Sequence, residues 1–173
     1  DVIKHGRESQ YWPLFLTKQS VFSEDDAANT ANIAKVFRPR PTPFFSEYEL
    51  DNKEVVPFWT TFTANQIDID VESAYLESIL EAFTKSNVDL IRLDAAGYAI
   101  KRAGTNCFML EETFEFIEAL SKRAHEMGIQ SLVEIHSHFE TQIAIASRCD
   151  SVYDFALPPL VLHTLFSKDA SAL

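Results

Sequence analysis

Asp94 and Glu134 each stand directly after a short apolar run, Asp94 after Ile91-Arg92-Leu93 and Glu134 after Ser131-Leu132-Val133. Runs of this kind, rich in branched side chains and bounded by polar residues, predict strands buried on both faces of a parallel sheet. Adjacent parallel strands lie about 4.8 Å apart. Two carboxyl groups at the C-terminal ends of neighbouring strands are therefore spaced for a retaining glycosidic reaction, which needs a pair roughly 5–5.5 Å apart. One carboxyl must be ionised to attack the anomeric carbon, and the other protonated to supply the leaving oxygen with its proton. A single acidic residue at a strand end serves equally well as a helix cap or a surface ion-pair partner; two on successive strands favour chemistry.

Arg92 lies two residues before Asp94, on the same strand face. Its guanidinium there is expected to keep Asp94 ionised, which makes Asp94 the nucleophile. Glu134, with no cation beside it in sequence, is then the better proton donor. His136 and His138 alternate along an extended segment after Glu134 and could meet a sugar hydroxyl or a phosphate, or be purely structural. His-x-His without a third matched ligand makes no metal site.

The elements that must position these residues follow from periodicity. Val71 to Ser86 places Ala74, Leu76, Ile79, Leu80 and Phe83 on one face and predicts an amphipathic helix. Val88 to Leu93 predicts a strand, Leu110 to Met127 a helix closed by Gly128, Ser131 to Ile135 a strand, and Glu140 to Ser147 a helix. Ser151 to Phe155 predicts a third strand, and Pro158-Pro159 opens a last helix through Phe166. The alternation implies an α/β fold with a parallel sheet covered on both faces, about half of an eight-fold barrel or most of a small open sheet. From Asp1 to about Phe58 there is little sustained period and five of the seven prolines, which predicts an irregular segment with short strands.

Composition narrows the classes. The 173 residues are 46% hydrophobic and 12% aromatic, enough for a real core. The net charge of −11, with Lys and Arg forming no stripe, argues against nucleic acid as a partner. No apolar stretch approaches the roughly 18 residues of a membrane span, and no signal-like segment precedes Asp1, so no membrane partner is expected. Cys107 and Cys149 lack metal-ligand spacing and are expected to be free thiols, which favours the cytoplasm. Neither end reads as a natural domain boundary, so the chain is expected to be a piece of something longer.

Several segments resemble the sucrose phosphorylase family of the alpha-amylase superfamily: IRLDAAGYAIKRAGTNCFM, LVEIHSHFETQIAIAS and VYDFALPPLVLHTLF, with ESQYWPLFLTKQSVF, RPRP and FTANQIDID nearer the start. The R-x-D and E-x-H pieces match two short regions shared across that superfamily. As a set the motifs are specific; R-x-D alone would be weak.

The resemblance implies a partial (β/α)8 barrel carrying about strands 4 to 6 with their helices. Residues 1–57 are then part of the domain inserted after strand 3, and residues 58–173 the central part of the barrel. It implies that Asp94 attacks C1 of a glucosyl unit while Glu134 protonates fructose, and that inorganic phosphate opens the glucosyl enzyme to α-glucose 1-phosphate. Sucrose, inorganic phosphate, glucose 1-phosphate and fructose are thus the expected small-molecule partners, and a second copy of the chain, in a homodimer, is admitted too. No cofactor and no metal is expected.

By the same resemblance Arg92 and Gln66 lie near the glucosyl and acceptor sites, Arg40 of the R-P-R-P loop contacts phosphate, and Phe62 and Tyr98 are active-site aromatics; His136 joins them as a substrate-binding residue. Family members carry Tyr before R-P-R-P where this chain has Phe37, which puts the fructose preference in doubt. The superfamily's third carboxylate and its first-region histidine fall outside these residues. A hydrolase of the same superfamily and a catalytically silent carbohydrate-binding relative are the competing readings; the R-P-R-P loop argues against the first and the carboxylate pair against the second.

Overall fold

Packing divides the chain into two units, residues 1–79 with 98–110, and residues 80–97 with 111–173. The computed structural model describes residues 1–22 and 26–173. The first unit runs past residue 57 because Phe58 and Trp59, fully buried at the end of a strand, are part of its core.

That unit is built on an antiparallel hairpin of β1 (Phe45–Glu49) and β2 (Val55–Trp59), with Phe45 opposite Trp59 and Glu49 opposite Val55. The turn closes where Leu50 N–H donates to Glu54 O, 2.9 Å, and Asn52 Oδ1 accepts from Glu54 N–H, 2.9 Å. Leu16, Phe22 and Cys107 pack with Trp59, whose ring stacks on Phe22 at 5.7 Å and meets Phe45 edge-on at 5.0 Å. The expected short strands are present, together with helical turns that the weak periodicity concealed: α1 (Val2–His5), α2 (Lys18–Val21) and α3 (Asp26–Ile33). α2 has a local cause, since Thr17 Oγ1 accepts from Ser20 N–H and Ser20 Oγ from Thr17 N–H, a reciprocal cap that satisfies two orphan donors.

Helix α4 (Tyr75–Lys85) starts four residues later than the apolar pattern predicts. Asp70 is responsible: its carboxylate accepts from Glu72 N–H at 3.0 Å and its carbonyl from Ser73 N–H at 3.1 Å, making a turn that competes with helix. Leu80 is the buried anchor of the helix.

The second unit carries the parallel sheet, in the order β3 (Leu90–Leu93), β4 (Gln130–Val133), β5 (Ser151–Val152). α5 (Glu111–Glu126) links β3 to β4, and α6 (Phe139–Ala146) links β4 to β5. The buried positions of α5, Thr113, Ile117, Leu120, Ser121 and Ala124, recur at helical spacing and face the core with Ile129, Val133 and Ile145. α5 ends where Gly128 takes φ +80°: Gly128 N–H donates to His125 O and Ile129 N–H to Ala124 O, which caps the last carbonyls. β5 is shorter than the Ser151–Phe155 run suggests, because Asp154 Oδ1 accepts from Ala156 and Leu157 N–H, 2.9 and 3.0 Å, and opens α7 (Leu157–Ser167). Cys107 and Cys149 are free thiols. Among the described residues no helix is long and apolar enough to cross a membrane.

Candidate active site

In the second unit the register pairs Leu93 with Val133, and Val133 with Val152, so Asp94, Glu134 and Tyr153 leave the sheet at one level. The ladder continues one step beyond the strands: Glu134 N–H donates to Leu93 O at 3.0 Å and Tyr153 N–H to Val133 O at 3.1 Å. Ala95 then takes φ +49°, a left-handed conformation that costs a residue with a Cβ about 1 kcal/mol or more, and Ala96 N–H returns to Glu134 O at 3.1 Å. The chain around Asp94 is thereby turned back on the strand that bears Glu134.

Arg92 joins the two carboxyl groups. Its Nη2 donates to Asp94 Oδ1 at 2.5 Å, and both Nε, at 3.0 Å, and Nη2 donate to Glu134 Oε2. Its guanidinium also lies 5.7 Å from the Tyr153 ring centroid. The Asp94 side chain is 69% exposed and that of Glu134 27% exposed, so Asp94 is the carboxyl more open to an incoming molecule.

The electrostatics differ from the sequence expectation. The hydrogen bonds from Arg92 hold Glu134 below the usual carboxylate range, with the bond to Asp94 adding to this. Asp94 is pushed up, first by its hydrogen bond with Glu134 and then by burial, effects that outweigh the charge of Arg92. Sequence adjacency assigned Arg92 to Asp94, whereas two of its donors reach across the sheet to Glu134, 42 residues away. Arg92 itself is held charged more firmly by its bond to Glu134.

His136 stacks on Phe155 at 4.6 Å and 19°, and Phe155 stacks on Tyr153 at 5.8 Å. The histidine's position lends Glu134 further stabilisation of its charge. His138 turns away to Glu140, Nδ1 to Oε2 3.7 Å. Tyr153 is a residue that motif reading did not single out: the Ser151–Phe155 run places it inside the predicted strand, whereas β5 ends at Val152 and brings it level with Asp94 and Glu134.

The remaining predicted residues belong to the first unit. Phe62 meets Tyr98 edge-on at 5.3 Å, Tyr98 packs on Phe108 at 4.6 Å, and Phe37 stacks on Phe108 at 4.7 Å. Burial pushes the Tyr98 hydroxyl up. Gln66 is exposed and its Oε1 accepts from Thr63 Oγ1 at 2.9 Å. Arg40 is exposed and, among the described residues, makes no ion pair or hydrogen bond, while Arg38 lies 4.8 Å over the Phe44 ring. Among the described residues no group of three or more His, Cys, Asp or Glu is arranged to hold a metal ion.

Two carboxyls and a guanidinium at the C-terminal rim of a parallel sheet define a site suited to glycosyl transfer, and the comparisons with known proteins point to the disaccharide phosphorylases. No protein-family model matches the chain. It is 49% identical to a sucrose phosphorylase of Agrobacterium vitis, over the whole of this chain and 36% of that protein. It is 45% identical to a sucrose phosphorylase of Bifidobacterium adolescentis, over 95% of this chain and 33% of that protein. The crystal structure of sucrose 6F-phosphate phosphorylase from Thermoanaerobacter thermosaccharolyticum superposes with a TM-score of 0.83 at 36% identity, over 97% of this chain and 36% of that one. The resemblance to sucrose phosphorylases seen in the motifs therefore extends over the whole chain. The chain spans about a third of the length of the relatives it matches.

Proposed function

We propose that the protein of which these residues are part is a retaining glucosyl-transferring phosphorylase that acts on sucrose. In the first step an Asp94 oxygen forms a bond to C1 of the glucosyl unit, the bond from C1 to the fructosyl oxygen breaks, and the proton carried by Glu134 passes to that oxygen. In the second step a phosphate oxygen forms a bond to C1 on the face fructose left, its proton passes to Glu134, and the bond to Asp94 breaks. Two inversions retain the α configuration and release α-glucose 1-phosphate.

The observation that carries this reading is the shared Nη2 of Arg92, which brings Asp94 and Glu134 to one cation at the sheet rim. The shifts there run opposite to what the first step needs, with Glu134 held low and Asp94 raised. A glucosyl unit inserted between the carboxyls breaks the mutual hydrogen bond that raises Asp94 and adds to the lowering of Glu134. As it enters, Asp94 gives its proton to Glu134 and keeps the Arg92 contact as the ionised nucleophile, and Glu134 carries that proton to the leaving oxygen.

Arg40, exposed in the R-P-R-P loop, supplies the fixed cation that phosphate needs in a protein of net charge −11. Gln66, Phe62, Tyr98 and His136 are assigned to substrate binding. β3, β4 and β5 are assigned as strands 4 to 6 of a (β/α)8 barrel, with residues 1–57 as the domain inserted after strand 3. The parallel order supports this, as do the exposed apolar residues Leu162, Leu165 and Phe166 of α7, which suit a helix packed in a larger barrel. The 173 residues alone are expected to be inactive, and the cytoplasm suits the free thiols.

A second reading of the acceptor site has its own observation. Phe37 stacks on Phe108 and Tyr98 and offers no hydroxyl, which fits a glucosyl donor other than plain sucrose, such as sucrose 6-phosphate, glucosylglycerol or glucosylglycerate. The experiment is to incubate the full-length protein with phosphate and each of the four donors and to quantify α-glucose 1-phosphate. Product from sucrose supports the leading reading, product from another donor alone moves the enzyme to that donor, and hydrolysis without product indicates a hydrolase. Arg40→Ala should impair phosphorolysis far more than hydrolysis; equal loss of both removes Arg40 from the phosphate site.

A further inference from the structure

Lys101 is 6% exposed, and an ammonium so buried must find a partner for each of its three N–H bonds. It does: Nζ donates to Thr61 Oγ1 at 3.0 Å and to Tyr98 O at 2.5 Å, and pairs with Asp68 Oδ2 at 2.9 Å. It also lies 5.3 Å from the centroid of the buried Trp59 ring. Thr61 Oγ1 is equally well used, donating to Asp68 Oδ2 at 2.5 Å and accepting from Trp59 Nε1 at 3.1 Å as well as from Lys101. Asp68 Oδ1 accepts from Thr61 N–H at 3.0 Å. Every strong donor and acceptor of the cluster is engaged, the condition under which a buried polar network fixes one geometry.

The segments tied together are 59–68 and 98–101. The first carries Phe62 and Gln66 and the second carries Tyr98, whose carbonyl is one of the three ammonium partners. The Phe62 and Tyr98 rings meet edge-on at 5.3 Å. We infer that Lys101, through Asp68, Thr61 and the Tyr98 carbonyl, is the positioning residue that holds the Phe62–Tyr98 wall and the Gln66 loop in register for the glucosyl donor. This rests on the substrate-binding role given to those three residues above.

Lys101→Met in the full-length protein keeps the chain's length and removes all three bonds. Lys101→Met/Asp68→Asn also removes the partly buried carboxylate left without its cation, so that folding survives if the single variant misfolds. Kinetics are normalised to the amount of glucosyl enzyme trapped, which discounts misfolded protein. The expected result is a rise in the donor KM of about tenfold, the worth of one well-placed contact, with kcat per active site within about threefold. Amide hydrogen exchange should accelerate in 59–68 and 98–101 together and remain as in the wild type through β3 and β4.

A donor KM equal to wild type in the folded double variant overturns the positioning role, as does unchanged exchange in the two segments. If wild-type protein makes no product from any donor, the proposed function fails instead, and the exchange data alone decide whether Lys101 holds the wall.

Discussion

The two ends of the parallel sheet in the second unit carry similar residue types in opposite states. At the C-terminal end Asp94 and Glu134 compete for one guanidinium, the Asp94 side chain stands open, and Ala95 is held in a left-handed conformation. At the N-terminal end Asp150 has what a carboxylate needs. Its Oδ2 accepts from Ser131 N–H and Oγ–H at 2.9 and 3.0 Å, and its Oδ1 lies 3.2 Å from His125 Nδ1. Those bonds, the Ser131 N–H first, hold Asp150 below the ordinary range. One end leaves charge under-satisfied where a substrate can complete it, and the other spends its polar groups on joining α5, β4 and the turn before β5. In parallel α/β folds the C-terminal end reads as function and the N-terminal end as stability.

Substitutions at the two ends should separate activity from stability. The largest effect is expected for Asp94→Asn in the full-length protein, which should lower kcat by about 10⁴-fold or more for every donor while leaving stability within about 0.5 kcal/mol, checked by initial rates and thermal melting. Arg92→Met should cost about 10²–10³-fold in kcat and let Glu134 titrate upward, because the hydrogen bonds that hold it down are gone. A kcat unchanged in Arg92→Met would reduce the triad to a surface ion pair.

At the other end Asp150→Ala should leave turnover intact and destabilise the fold by about 1–3 kcal/mol, since Ser131 N–H and Oγ–H lose their acceptor. Denaturant titration reads this. The sign with pH follows from the direction of the shift: a depressed folded-state pKa contributes stability above the unfolded value, near 3.9, and loses it as the pH falls through the folded value. The wild type should therefore lose its advantage over Asp150→Ala in acid. A constant gap between the two down to about pH 2 would remove Asp150 from the account of stability.

The same contrast explains what the sequence could reveal. The three strands and the helices between them were legible because burial on both faces enforces continuous apolar runs and helical periodicity. Asp94 and Glu134 were legible because they stand one place beyond such runs. The helical turns α1 to α3 were not, since short capped turns carry no period, and the start of α4 was masked by the Asp70 turn. Least legible were the pairings that cross long stretches of chain: Arg92 to Glu134, and Lys101 to Asp68 and Thr61. Sequence adjacency joined Arg92 to the nearer carboxylate, while the register of β3 and β4 gives the farther one more of its donors.

Arg92 binds both carboxyls, which holds Glu134 below the ordinary carboxylate range and leaves Asp94 raised. The pH dependence of kcat/KM reports groups of the free enzyme, and α-glucosyl fluoride, whose leaving group needs no proton, isolates ionisation of the nucleophile. In the full-length wild type the acid limb should lie above the ordinary Asp value near 3.9. In Glu134→Gln, where the neighbouring charge is gone and Arg92 is left to Asp94, the limb should move down. An acid limb at the same pH in both proteins would contradict the shared-guanidinium account.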